Sequence, residues 1–196
     1  MSSMTPSLRV VPPPRRQPVI ENAVIGTAIF VGTEVMLFAG LISALVIVKA
    51  NHIGPWPPPD QPRLPIEATA FNTAMLLASG VALFLAWRAY KRQPLSAKRP
   101  FAVAIGLGAF FVVFQGVEWV QLIAQGLTMT SSILGAFFYL IVGMHALHAL
   151  AAIVLLCTLW LRLANLKLQP GTFLGAQIFW YFVVGLWPIL YVQVYL

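Results

Sequence analysis

Five residues of this 196-residue chain carry a carboxylate: Glu21, Glu34, Asp60, Glu67 and Glu118. Two of them stand inside long apolar runs, Gly32-Thr33-Glu34-Val35-Met36-Leu37-Phe38 and Phe114-Gln115-Gly116-Val117-Glu118-Trp119. Glu34 lies about ten residues into its run, which at a rise of ~1.5 Å per residue puts it roughly 15 Å from one end, near the middle of a bilayer. A carboxylate there is costly unless it is protonated, hydrogen-bonded or beside water. Residue type alone leaves two roles open for Glu34, a protonated group bonded between helices or a proton-exchanging site. Glu118 follows Gln115 by three positions, so the two share a helix face. That face is expected to turn into a bundle, with Glu118 as an interhelical hydrogen-bonding residue.

Gly143-Met144-His145-Ala146-Leu147-His148 places two imidazoles at i and i+3, a spacing that can serve a metal or the axial position of a haem. Either use needs more than this pair. The remaining candidates are His52 in a loop, the two buried glutamates and Cys157. The Glu-x-x-His pairing that carboxylate-rich two-metal bundles repeat on two helices is missing. His145 and His148 are therefore expected to bond within a bundle. No segment supplies a nucleophile with its base, a phosphate loop or a dinucleotide fingerprint, so no catalytic residue is assigned.

The elements that position these residues follow from composition. The chain is 60% hydrophobic and 9% charged, whereas soluble domains carry about 25% charged residues. It lacks the polar surface to cover a water-facing globule. Five apolar runs reach the roughly 20 residues that cross a hydrocarbon core, at about 23–48, 68–90, 100–124, 132–163 and 172–196. The fold class expected is an all-α membrane bundle of five transmembrane helices. Residues 1–22, with Pro12-Pro13-Pro14-Arg15-Arg16 and no apolar signal segment, read as a disordered cytoplasmic tail. The first connection, with Gly54-Pro55-Trp56-Pro57-Pro58-Pro59 and then Pro62 and Pro65, cannot be helical. It reads as an extended surface loop with Trp56 at headgroup level.

Arg9, Arg15, Arg16, Arg88, Lys91, Arg92, Lys98, Arg99, Arg162 and Lys167 fall on one side of such a bundle, and only Lys49 and Arg63 on the other. Ten against two puts the N-terminus in the cytoplasm and the C-terminus outside. The net charge of +7 thus reads as a topology signal beside anionic headgroups and not as a nucleic-acid surface. On the second run Asn72, Thr73 and Ser79-Gly80 mark one face, and on the fourth Gly135, Gly143 and Ala149 allow close helix approach.

Taken in order, these motifs resemble subunit III of the haem–copper cytochrome oxidases in its five-helix form, over about residues 24–196. Thr33-Glu34-Val35-Met36-Leu37-Phe38-Ala39-Gly40-Leu41 resembles a family helix, with Thr33 in place of the usual serine. Trp56-Pro57-Pro58-Pro59 followed by Asn72-Thr73 and Ser79-Gly80-Val81, the Gln115–Glu118-Trp119 helix, His145 and His148 closing with Arg162, and Phe179-Trp180-Tyr181-Phe182-Val183-Val184 with Trp187 and Tyr191 match the others. Tyr181 stands where the family usually has histidine, and Val184 where it has aspartate.

The resemblance implies a non-catalytic core subunit of a bacterial inner-membrane terminal oxidase that reduces oxygen to water and pumps protons. It implies no haem or copper on this chain, those groups residing in partner subunits I and II. It also implies bound phospholipid, support for sustained proton uptake, and complexes that join larger respiratory supercomplexes. Glu34 matches the family's buried, carbodiimide-reactive glutamate. The competing readings are the subunit III-like companion of a quinol oxidase or nitric oxide reductase, a proton-coupled transporter, and a b-type cytochrome. The absence of repeats weighs against the transporter.

Overall fold

The computed structural model describes residues 22–53 and 62–195. The proline-rich tail, the tip of the first connection with Trp56, and Leu196 lie outside the described residues. The helices are α1 (Asn22–Asn51), α2 (Ile66–Arg92), α3 (Lys98–Ala124), α4 (Ile133–Ala164) and α5 (Pro170–Tyr195), with a 3₁₀ turn at Pro94–Ala97 between α2 and α3. All five are long and apolar enough to cross a membrane. Each expected span ends within three residues of the observed one, and Asn22, assigned to the tail by sequence, opens α1.

The breaks have local causes. Gln93 precedes Pro94 and is extended, with φ −152° and ψ 114°, because the proline ring crowds a helical residue before it. Ser132 opens α4 by accepting a hydrogen bond from the Gly135 amide at 2.9 Å, satisfying one of the helix's orphan donors. Both α3 and α4 close with the same pair of backbone bonds. Leu127 N–H reaches the Leu122 carbonyl and Gly126 N–H that of Ile123, while Lys167 N–H reaches Arg162 and Leu166 N–H reaches Leu163. This is the Schellman arrangement, which needs a left-handed residue just past the helix. After α3 that residue is glycine (Gly126, φ +90°), but after α4 it is Leu166 at φ +57°.

The buried positions of α3 are Phe101, Ala104, Gly108, Phe111, Gln115, Glu118 and Leu122. Those of α4 include Phe138, Ile141, His145, Ala149, Ala152, Leu156, Leu159 and Leu163. Both run in steps of three and four residues, the seam spacing of left-handed helix packing. Gln115, Glu118 and His145 occupy seam positions otherwise held by apolar or small residues. Helix α5 is the most enclosed, with 56% of its apolar stretch buried, and α1 the most peripheral, with 11%.

Contacts fix the direction of each helix. The ring of Phe173, at the start of α5, stacks on Phe101 at the start of α3 and meets Trp87 and Tyr90 at the end of α2. At the opposite end the Lys49 ammonium donates to the Gln193 carbonyl and the Tyr191 hydroxyl to that of Ile66. Helices α1, α3 and α5 therefore run one way and α2 and α4 the other. Arg88, Lys91, Arg92, Lys98, Arg99, Arg162 and Lys167 gather at one end.

A left-handed backbone costs a branched residue about 1–2 kcal/mol, and glycine returns about 0.5–1 kcal/mol of that through its freer unfolded chain. Leu166→Gly is expected to raise the thermal unfolding midpoint of the detergent-solubilised chain. Gly126→Ala, where an added Cβ meets nothing within 4 Å, is expected to lower it through backbone strain alone. A fall with Leu166→Gly would count against the strain argument.

Candidate functional site

Helix α1 meets the bundle along Val24, Thr27, Val31, Glu34, Phe38, Leu41, Leu45 and Val48, all of them buried or half-buried. Glu34 is thus turned inward even though its helix is peripheral. It faces α4, where Glu34 Oε2 lies 3.0 Å from His148 Nε2. The approach has ion-pair distance without the alignment of a good hydrogen bond, since Oε2 makes no bond that meets angular criteria. The other ring nitrogen, Nδ1, sits 2.7 Å from the Met144 carbonyl. A carbonyl only accepts, so Nδ1 carries a proton.

That assignment limits what Nε2 and Glu34 can hold. With one further proton between them they form either a neutral acid beside a neutral imidazole or a carboxylate beside an imidazolium. Both arrangements have zero net charge, which lowers the cost of placing the pair in hydrocarbon. Removing or adding a proton leaves one unbalanced charge. The pair sits among Phe30, Phe38, Phe179 and Phe182, whose ring centroids lie 5.5–6.5 Å from that of His148, and Glu34 and His148 are 15% and 11% exposed.

His145 departs from the bonding role expected of it. It is buried, and neither ring nitrogen has a hydrogen-bond partner among the described residues. Its ring is tilted 5.0 Å from Trp187 and meets Phe38 and Phe111 edge-on. It behaves as one more aromatic in the core. Among the described residues no three His, Cys, Asp or Glu side chains converge. His148 has both nitrogens engaged and His145 is walled in by rings, so neither offers a lone pair to open space as a haem would require.

Glu118 is part of a second, sealed cluster at the end of the bundle away from the basic residues. Gln115 Nε2 donates to Glu118 Oε2 at 2.9 Å and to the Tyr195 hydroxyl at 3.0 Å. Thr69 Oγ1 lies 3.0 Å from both Glu118 oxygens and 2.8 Å from the Pro65 carbonyl. The cluster ties α2, α3 and α5 together. Sequence analysis identified Gln115 and Glu118 but missed Thr69 and Tyr195. Thr69 had a readable signal, since it lies three and four residues before Asn72 and Thr73 on the same face. Tyr195 had none.

Two buried tryptophans on α5 complete the bonding between helices. Trp180 Nε1 donates to Ser79 Oγ at 3.1 Å and Trp187 Nε1 to Thr73 Oγ1 at 2.8 Å, while Asn72 Nδ2 reaches the Phe111 carbonyl at 3.1 Å. A Cβ added at Gly108 would come within 2.6 Å of the Trp180 ring, so the glycine makes the room that the indole fills.

Comparison with known proteins bears on what this arrangement serves. The family model for cytochrome c oxidase subunit III matches residues 15–196. The chain belongs to the cytochrome c oxidase subunit III family. It is 32% identical over 177 residues to the cytochrome c oxidase subunit 3 of Corynebacterium diphtheriae, covering 87% of this chain and 86% of that one. It is 30% identical over 175 residues to a Nocardia farcinica protein named "Probable cytochrome c oxidase subunit 3", with the same coverage. With the rabbit cytochrome c oxidase subunit 3 it shares 29% over 179 residues, 87% of this chain and 67% of the longer relative. Family membership gives the chain the role of a haem–copper oxidase subunit III, a multi-pass membrane protein within an oxidoreductase complex.

For a subunit III, the two departures on α5 have simple physical outcomes here. Tyr181 accepts a hydrogen bond from Gln177 Nε2 at 2.6 Å within α5 itself. Val184 is buried against α2, its Cγ1 3.2 Å from where a Gly80 Cβ would stand, so this position packs and does not bond.

Removing the Glu118 acceptor leaves one buried Gln115 N–H unpaired, at about 1–3 kcal/mol, while Thr69 keeps the Pro65 carbonyl. Glu118→Leu is expected to lower the thermal unfolding midpoint clearly, while Glu118→Gln, which keeps an acceptor oxygen, stays close to the parent. Equal stability of the two variants would contradict a bonding role for Glu118.

Proposed function

We propose that this chain is the non-catalytic core subunit III of an aerobic haem–copper terminal oxidase in a bacterial inner membrane. It packs beside subunit I, with haem and copper held by subunits I and II, and carries phospholipid at its lipid-facing surface. Cytochrome c is favoured over quinol as the complex's electron donor by the names of the relatives. The N-terminus is cytoplasmic, a reading supported by the ten-to-two distribution of basic residues. The family match over residues 15–196 carries this reading.

Within that role, Glu34 and His148 serve as an accessory proton-exchanging pair that supports sustained activity of subunit I. Three features support it. The pair holds one proton that can sit on either partner without a change of net charge. It stands near the middle of a membrane span. It belongs to the helix that the rest of the bundle covers least.

Two experiments test the proposal. Mild detergent extraction is expected to bring the chain out together with a haem-bearing subunit, visible as a Soret band that co-elutes with it; isolation as a stable, colourless monomer would overturn the assignment. In the assembled oxidase, Glu34→Gln is expected to leave the initial rate of oxygen consumption nearly normal and to change how long activity persists. A decay of turnover indistinguishable from the parent would remove Glu34 from sustained function.

A further inference from the structure

An outward-opening groove of about 520 Å³ lies between α1 and α5, within the roughly 300–1,000 Å³ range of small-molecule sites. On α1 it runs from Val35 to Ser43, about 12 Å at ~1.5 Å per residue. On α5 it begins at Tyr181, near the middle of that helix. The groove therefore opens inside the hydrocarbon, and a molecule must be membrane-soluble to reach it. Gly185 keeps it wide, since a Cβ there would meet nothing within 4 Å. Its floor is aromatic. Phe38 and Phe182 lie 6.1 Å apart and are backed by the His148 ring at 5.5 and 6.2 Å, so both rings are held in place before any ligand arrives.

Two hydroxyls line the groove, and they differ from others in the bundle. Thr27, Thr33 and Thr158 each donate to a carbonyl three or four residues back in their own helix, at 2.7–2.8 Å. That is the local answer open to a hydroxyl with no water at hand. Ser43 makes no such bond and has no partner among the described residues. The Tyr181 hydroxyl accepts from Gln177 at 2.6 Å and gives its own proton to none of the described residues. Both protons are left for an acceptor that enters the groove. No charged residue lines it, so nothing there would balance an anion. An acyl chain would fill the space and leave both donors unmet. A flat, uncharged ring bearing carbonyl oxygens satisfies the rings and the donors together.

We propose that the α1–α5 groove binds the head of an isoprenoid quinone in its oxidised form. The Tyr181 and Ser43 hydroxyls are the donors to its carbonyls, Phe38 and Phe182 are the surface beneath its ring, and its apolar chain continues into the bilayer. The proposal is one of binding alone. It needs only that the chain spans a membrane, and it stands apart from the oxidase assignment.

The test is photolabelling of the purified full chain, in phosphatidylcholine nanodiscs, with an azido-quinone, the labelled positions being read by peptide mass spectrometry. Label is expected on 35–43 and 181–189 and is expected to be displaced by excess decylubiquinone. Label spread evenly over all five helices, a measurement that needs no variant to fold, would overturn the site. Methyl oleate is expected to compete poorly; displacement equal to that by decylubiquinone would reduce the groove to an acyl-chain slot and overturn the quinone. The reduced competitor, decylubiquinol, is expected to be several-fold weaker, and equal potency would overturn the preference for the oxidised form. Ser43→Ala with Tyr181→Phe removes two donated hydrogen bonds and is expected to weaken labelling by on the order of ten-fold. Gly185→Leu, placed where the backbone is open, is expected to abolish it by filling the groove. Labelling unchanged in either variant would contradict the assigned contacts.

Discussion

A hydrogen-bonding group inside hydrocarbon has no water to turn to, so a polar side chain placed there is stabilised by a partner on another helix or its own, and among the described residues His145 is an exception. In this bundle that requirement organises α5. Its indoles reach across to α2, Trp180 to Ser79 and Trp187 to Thr73, and Tyr195 accepts from Gln115 on α3. Each bond joins groups more than 75 residues apart in sequence, which fixes the depth as well as the rotation of α5. Apolar packing alone sets depth weakly, because one turn of Leu and Val resembles the next and lipid tails compete for the same surface. The most buried helix is also the one with the most directional bonds.

The same requirement separates the two carboxylates. Glu118 is met by Thr69 and Gln115 and is 4% exposed, closed in by three helices. Its surroundings supply neutral dipoles only, the Thr69 hydroxyl and the Gln115 amide. Glu34 is met by a titratable group. An imidazole whose Nδ1 is committed to the Met144 carbonyl brings its Nε2 within 3.0 Å of the acid. The two glutamates resemble each other in sequence setting, yet only Glu34 lies within ion-pair distance of a histidine among the described residues.

Much of this arrangement was legible in the sequence. The five spans followed from hydrophobic length, and the inward face of α3 from Gln115 and Glu118 three residues apart. The partner of Glu34 was not legible. His145 and His148 share a helix face and an equal claim on it by spacing, and the choice depends on how α4 is rotated against α1. That rotation places His148 beside Glu34 and leaves His145 among Phe38, Phe111 and Trp187. The left-handed Leu166 was equally hidden, because sequence points to glycine at such a place and α4 closes its carbonyls without one. The long-range partners of Trp180 and Trp187 depend on tertiary placement, which local period cannot supply.

The peripheral position of α1 gives the Glu34–His148 pair its character. A proton-exchanging group sealed as Glu118 is would need a chain of donors through the bundle to reach anything. On α1 the pair is separated from the outside by a single helix and the rings of Phe30, Phe38, Phe179 and Phe182, and both partners keep a measurable exposure. Those rings line the pair without offering it a hydrogen bond. In a complex, the α1 face is available to a neighbouring subunit or lipid. The two carboxylates thus differ in setting through the helix that carries each, Glu34 on the least covered helix and Glu118 on a face closed in by its neighbours.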